Sequence, residues 1–208
     1  MTWHIARRSP AASAAPIDPA RYGRVAVAFH WLIGIALLAQ TGFGFLLDDI
    51  APRGTPARTE VINLHKSIGI VLGLLILARL AWRLVQSAPG WPDRMPPWQR
   101  RAAALSHRAL YACMVLMPLS GYLASNFSQR GVRFFGTPLA PWGADLPPLY
   151  SLFNGVHVFT AYVFTALIAI HVGAALRHAI AGDGVFARMW PGVRLRARPL
   201  DGASGPRR

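Results

Sequence analysis

The sequence predicts an all-α membrane protein, a bundle of four transmembrane helices with both termini on the cytoplasmic side. Three observations predict it. Of the 208 residues, 53% are hydrophobic and only 14% are charged, against about 25% charged in a typical soluble domain. The chain is therefore long enough to bury a core but short of polar surface to cover one in water. The apolar residues also gather into four runs, each near the ~20 residues a spanning helix needs. Finally, the basic residues avoid the centres of those runs and crowd into particular connections.

The first run covers Val25 to Leu47, interrupted by His30, Gln40 and Thr41. The second covers about Val61 to Leu84, with Asn63, His65 and Lys66 near its start and Arg79 and Arg83 near its end. The third covers about Ala103 to Phe127 and contains Pro118. Inside a membrane bundle, neighbouring helices can re-satisfy the carbonyl that such a proline frees. The fourth covers about Leu149 to Leu176. The segment between the third and fourth runs, SQRGVRFFGTPLAPWGADLPP, is rich in Pro, Gly and aromatics. It is expected at the outer interface, with Phe134 and Trp142 at headgroup level.

Orientation follows from the 22 Lys and Arg residues. Seventeen fall in the N-terminal arm, the connection between runs two and three, and the C-terminal tail; five (Arg53, Arg58, Lys66, Arg130 and Arg133) fall on the opposite side. Positive residues concentrate in cytoplasmic loops, so both termini are expected in the cytoplasm, with the chain crossing the membrane several times in contact with lipid.

A net charge of +14 invites a nucleic-acid reading, but the segregation of the charges between hydrophobic runs argues against that class. The N-terminal stretch, rich in Pro, Ala and Arg, lacks the apolar core of a cleavable signal peptide. Residues 1–20 are therefore expected to form a disordered arm, 21–192 one helical domain and 193–208 a basic disordered tail. The single cysteine, Cys113, lies in an apolar run and is expected as a small buried hydrophobe.

Ionisable residues within spans are candidates for function, and here they are histidines. His157 and His171 stand fourteen residues apart in the fourth run. That spacing is about 40° short of four full turns and about 21 Å along the axis, so both rings face one side of the helix at two depths. His30, six residues past Arg24, shares the inner depth with His171; His65 and His157 both lie near the outer starts of their helices. Two imidazoles from different helices, facing inward at one depth, are what haem iron needs for two axial ligands, and bundle interiors commonly build cofactor sites in this way.

The residue one turn after each histidine supports the set. It is Gly34 after His30, Gly69 after His65, Ala161 after His157 and Ala175 after His171, all small enough to lie beside a flat macrocycle. After His107 it is Tyr111, which would crowd one. His107 is expected instead at the interface. Gly69 and Gly73 also fit a close helix contact. Zinc would want more ligands at one level, and a proton path would usually include buried carboxylates; the runs carry neither.

The blocks RYGRVAVAFHWLIG, NLHKSIGIVLGLLILARLAWRL, SHRALYACMVLMPLSGYL and HVGAALRHAIAGDGVFARMWPG resemble the bacterial cytochrome b561 family. The likeness runs from about Arg21 to Gly192. It implies a four-helix inner-membrane cytochrome with two haem b groups, whose iron ligands map onto His30, His65, His157 and His171. Gly34 and Gly69 lie beside them as cofactor-binding positions. It implies electron exchange between membrane quinone, ubiquinone above all, and a small-molecule or protein partner on the periplasmic side, superoxide being one candidate. The resemblance carries over no catalytic residue. A second reading is a haem-bearing membrane anchor of a larger oxidoreductase, such as a hydrogenase or formate dehydrogenase. Lys66, Arg130 and Arg133 are candidates for attracting an anionic donor or holding haem propionates, and His178 and Arg108 for contacting quinone or a propionate.

Overall fold

A computed structural model describes residues 21–86, 89–92 and 95–190. The expected arm and the expected tail lie outside those residues. Helix α1 spans Arg24–Phe45 and is followed by one short turn, α2, Leu47–Ile50. Then come α3, Ala57–Val85, and α4, Pro97–Asn126. A two-stranded hairpin follows, β1 Val132–Phe134 and β2 Thr137–Leu139, and then α5, Pro147–Ala181. A single 3-10 turn, Phe186–Arg188, ends the described chain.

Helices α1, α3, α4 and α5 are long and apolar enough to cross a membrane, so the four-helix membrane bundle stands. Their outward faces carry exposed Leu32, Ile35, Leu38, Leu74, Leu77, Phe159 and Ile170, side chains that lipid covers without cost. The helices outrun the apolar runs. Both α4 and α5 begin with Pro in the first turn, where its missing N–H has no intrahelical partner to lose. Helix α5 stops at Gly182, which takes the left-handed conformation (φ 62°) and returns its N–H to the carbonyl of Ala179, the usual glycine C-cap.

Helix α5 packs along α4, α4 on α3, and α3 on α1. Gly73 lets α3 approach α4 closely, since a Cβ there would lie 3.1 Å from the Pro118 Cβ. The apolar core, Ile33, Leu37, Leu72, Ile76, Cys113 and Phe164, fills mid-bundle, and Cys113 is buried there as a free thiol, as expected. Helices α1 and α5 stand apart by comparison. An apolar cavity of about 220 Å³ opens against them, lined by Leu38, Thr41, Gly42, Phe45, Thr165 and Ile168.

The hairpin is a finding that hydrophobic run length could not anticipate. Its strands pair Val132 with Leu139 and Phe134 with Thr137. The connecting residues, Phe135 (φ 44°) and Gly136 (φ 93°), both have positive φ, as a tight type I′ hairpin turn requires. Side chains of α3 hold it: Asn63 Oδ1 accepts from the Arg133 N–H at 3.1 Å and Ser67 Oγ from the Phe135 N–H at 3.0 Å. Lys66 Nζ donates to the Gly131 carbonyl at 2.8 Å. At the opposite end of the bundle, Trp31 Nε1 donates to the Met189 carbonyl at 2.7 Å and Arg21 to that of Ala187 at 3.0 Å. These bonds strap the 3-10 turn across the foot of α1.

Candidate functional site

The four long helices bring the predicted histidines together in the predicted pairs. His30 of α1 faces His171 of α5 with ring centroids 6.1 Å apart, and His65 of α3 faces His157 of α5 at 6.3 Å. All four residues are half-buried. Two imidazole nitrogens on opposite sides of one first-row metal, each at about 2 Å, stand roughly 4 Å apart, which places the ring centres roughly 6 Å apart. Both pairs meet that spacing.

Each ring of the second pair is fixed by its neighbours. His157 Nδ1 lies 2.8 Å from the Met117 carbonyl of α4. A carbonyl only accepts, so Nδ1 carries the proton, which in the neutral ring leaves Nε2 its lone pair. Metal-ligating histidines commonly tie up their other nitrogen in this way. His65 is held from α1. Gln40 Nε2 donates to the His65 backbone carbonyl at 2.7 Å and lies 3.1 Å from its Nδ1, while Gln40 Oε1 is buried without a partner among the described residues.

Two glycines make room for these rings. A Cβ at Gly44 would lie 3.1 Å from His65 Cε1, and one at Gly121 would lie 3.0 Å from His157 Nδ1. These are cradles that any side chain would fill. Sequence reasoning missed Gly44, Gly121 and the role of Gln40. Gly44 and Gly121 stand on the helices facing the histidines, so their relation depends on packing register, and only the polarity of Gln40 within a span gave a signal. Of the small residues that sequence reasoning did single out, Gly34 has open space where a side chain would project, while a Cβ at Gly69 would lie 3.6 Å from Gln40 Nε2.

His107 of α4 also approaches His171, with centroids 5.5 Å apart. That falls short of the spacing two ligands need across one metal, and His107 is exposed where the four paired histidines are not. Among the described residues no group of three or more His, Cys, Asp and Glu side chains is gathered to hold a bare metal ion. The arrangement suits a flat, wide group clamped edge-on between helices. His178 lies just past the inner level, hydrogen-bonded through Nδ1 to Asp183. Arg133 forms an exposed ion pair with Glu60 at 3.5 Å.

The fold and these pairs define a helical membrane protein with two pairs of opposed imidazoles set between its helices. The family model of prokaryotic cytochrome b561 matches residues 21–192. Cytochrome b561 homolog 2 of Escherichia coli K12 is 30% identical over 161 residues, 77% of this chain and 85% of that protein. Cytochrome b561 homolog 1 of the same organism is 29% identical over 172 residues, 82% of this chain and 97% of that one. The chain belongs to the prokaryotic cytochrome b561 family, whose members are multi-pass haem b proteins of electron transport. The histidine pairs, with their spacing and the glycine cradles beside them, fit that group.

Proposed function

We propose that this chain carries electrons across a bacterial inner membrane through two b-type haems. His30 and His171 would hold one, and His65 and His157 the other. Both termini lie in the cytoplasm on this reading, and electrons pass between membrane quinone and a donor or acceptor at the periplasmic face, superoxide among the candidates. Haem held between these imidazoles would supply one-electron transfer, at a potential that the ligands, their hydrogen bonds and burial set.

The protein supplies position and exclusion of water. The Met117 carbonyl sets the tautomer of His157. Gln40 anchors His65 to α1. Between the two levels Phe164, only 1% exposed, stands seven residues from each histidine of α5. It faces the same side as both rings, with about 10 Å of helix on either side, and keeps the interval dry. At the inner end His107, Arg108 and His178 are the polar residues available to quinone.

The observation that carries this reading is the recurrence of one geometry, opposed imidazoles about 6 Å apart, at two levels of one helix. The test is haem content and reduced-minus-oxidised spectra of purified His157→Ala and His171→Ala. Each variant is expected to lose one haem and keep the other. Full haem content in both overturns the assignment.

A further inference from the structure

Helix α3 repeats the spacing of α5. Arg79 follows His65 by fourteen residues, the interval that separates His157 from His171. It therefore shares the face of α3 that His65 presents to the interior, about 21 Å further along, at the level of His30 and His171.

Arg79 Nη1 is buried and has no hydrogen-bond partner among the described residues. An uncompensated guanidinium in a membrane interior is costly and marks function by default. The described carboxylates do not supply the partner. Asp48 pairs with Arg58, Glu60 with Arg133, and Asp183 with His178. Asp145 accepts from Gln129, and Asp49 lies in α2 at the other end of the bundle. Nor does Arg79 escape along its own helix: Arg83, one turn on, reaches the end carbonyl of Gln86 at 3.0 Å, whereas Arg79 keeps a buried nitrogen a turn deeper.

We propose that Arg79 is the counter-ion for a carboxylate carried into the protein by the inner haem, a propionate side chain of the porphyrin. The guanidinium fork matches a carboxylate in geometry and charge. No intrachain acid would then be needed, which agrees with spans free of buried carboxylates. The inference rests on the two-haem reading above. Arg79 here binds the cofactor's edge and takes no part as an iron ligand.

The test uses full-length protein loaded with protohaem or with its dimethyl ester, which lacks the carboxylates, in neutral-lipid nanodiscs. Release of each haem to excess apomyoglobin and both midpoint potentials are followed. In wild type the inner haem, identified as the one lost in His30→Ala, is expected to leave about tenfold faster as the ester. In Arg79→Met the acid is released as fast as the ester. The inner potential falls, because a positive charge that favoured the reduced iron is gone, and the outer potential stays put. Arg79→Lys, which keeps the charge, restores most of the potential.

Equal discrimination between acid and ester in wild type and Arg79→Met overturns the proposal, as does an equal shift of both potentials. Dependence of inner-haem retention on anionic lipid, present in wild type and absent in Arg79→Met, also overturns it by naming a lipid phosphate as the partner. A colourless wild-type protein instead sinks the haem reading itself, so the two failures are distinguishable.

Discussion

His157 donates its Nδ1 proton to the backbone carbonyl of Met117 at 2.8 Å, and Gly121, four residues beyond Met117, leaves the space in which the ring sits. One helix thus both orients this histidine and makes room for it. The arrangement ties α4, which contributes none of the paired histidines, to the chemistry of α5.

A side chain at Gly121 should therefore damage the site without touching a ligand. The added Cβ of Gly121→Ala would sit 3.0 Å from Nδ1 and 3.1 Å from Cε1 of His157, close enough that the ring must shift from its place by a few tenths of an ångström. The expected result is loss of most of the haem held by His65 and His157, with the other retained, read as a halved haem-to-protein ratio. Gly44→Ala, 3.1 Å from His65 Cε1, should act on the same haem more mildly. Full haem in Gly121→Ala would show that the ring does not depend on this cradle.

His30 and His107 both lie near His171, so substitution separates a ligand from a neighbour. His30→Ala should remove the inner haem. His107→Ala should leave both haems bound and shift at most the inner potential, because its ring stands 5.5 Å from that of His171 and is exposed. Loss of a haem in His107→Ala with retention in His30→Ala would reverse the two roles.

The parts of this protein that sequence revealed are those governed by one helix at a time. Run length gave the four spans, and the fourteen-residue interval placed His157 and His171 on one face. Features set by the register between helices were hidden. Gly44 and Gly121 cannot be linked to His65 and His157 without knowing how α1 lies on α3 and α4 on α5. The small residues one turn past each histidine were legible but unequal in placement, Gly34 beside open space and Gly69 against Gln40. The hairpin escaped because Phe135 occupies a turn position that glycine or asparagine usually fills, and its hold comes from the distant Ser67.

That hold can be measured. Ser67 is fully buried and Asn63 is 9% exposed. Ser67→Ala leaves the Phe135 N–H without its acceptor, and Asn63→Ala does the same to Arg133. Each is expected to cost about 1–3 kcal/mol, the penalty for leaving a shielded donor unpaired. The midpoint of thermal unfolding in detergent should fall in both variants, and limited proteolysis should open first near residues 130–140. An unchanged cleavage pattern would mean that the strands hold themselves.

The last turn of α5 carries a pH dependence of definite sign. Burial alone would raise the Asp183 carboxyl. Hydrogen bonds from His178 and the Val185 N–H, with the positive charges of His178 and Arg177 nearby, outweigh it and hold the group below its ordinary value. A carboxylate depressed in the folded state contributes stability that is fully present above its unfolded pKa, about 3.9, and is lost as pH falls through the lower folded value. Protection of the amides of residues 178–186 against exchange should therefore fall on acidification below about pH 4, ahead of the rest of the helix. Asp183→Asn should show the lower protection already at neutral pH and lose the acid dependence. Because Asp183 is partly exposed, the effect stays local and small. Acid-insensitive protection in the wild type would show that this ion pair does not hold the end of α5.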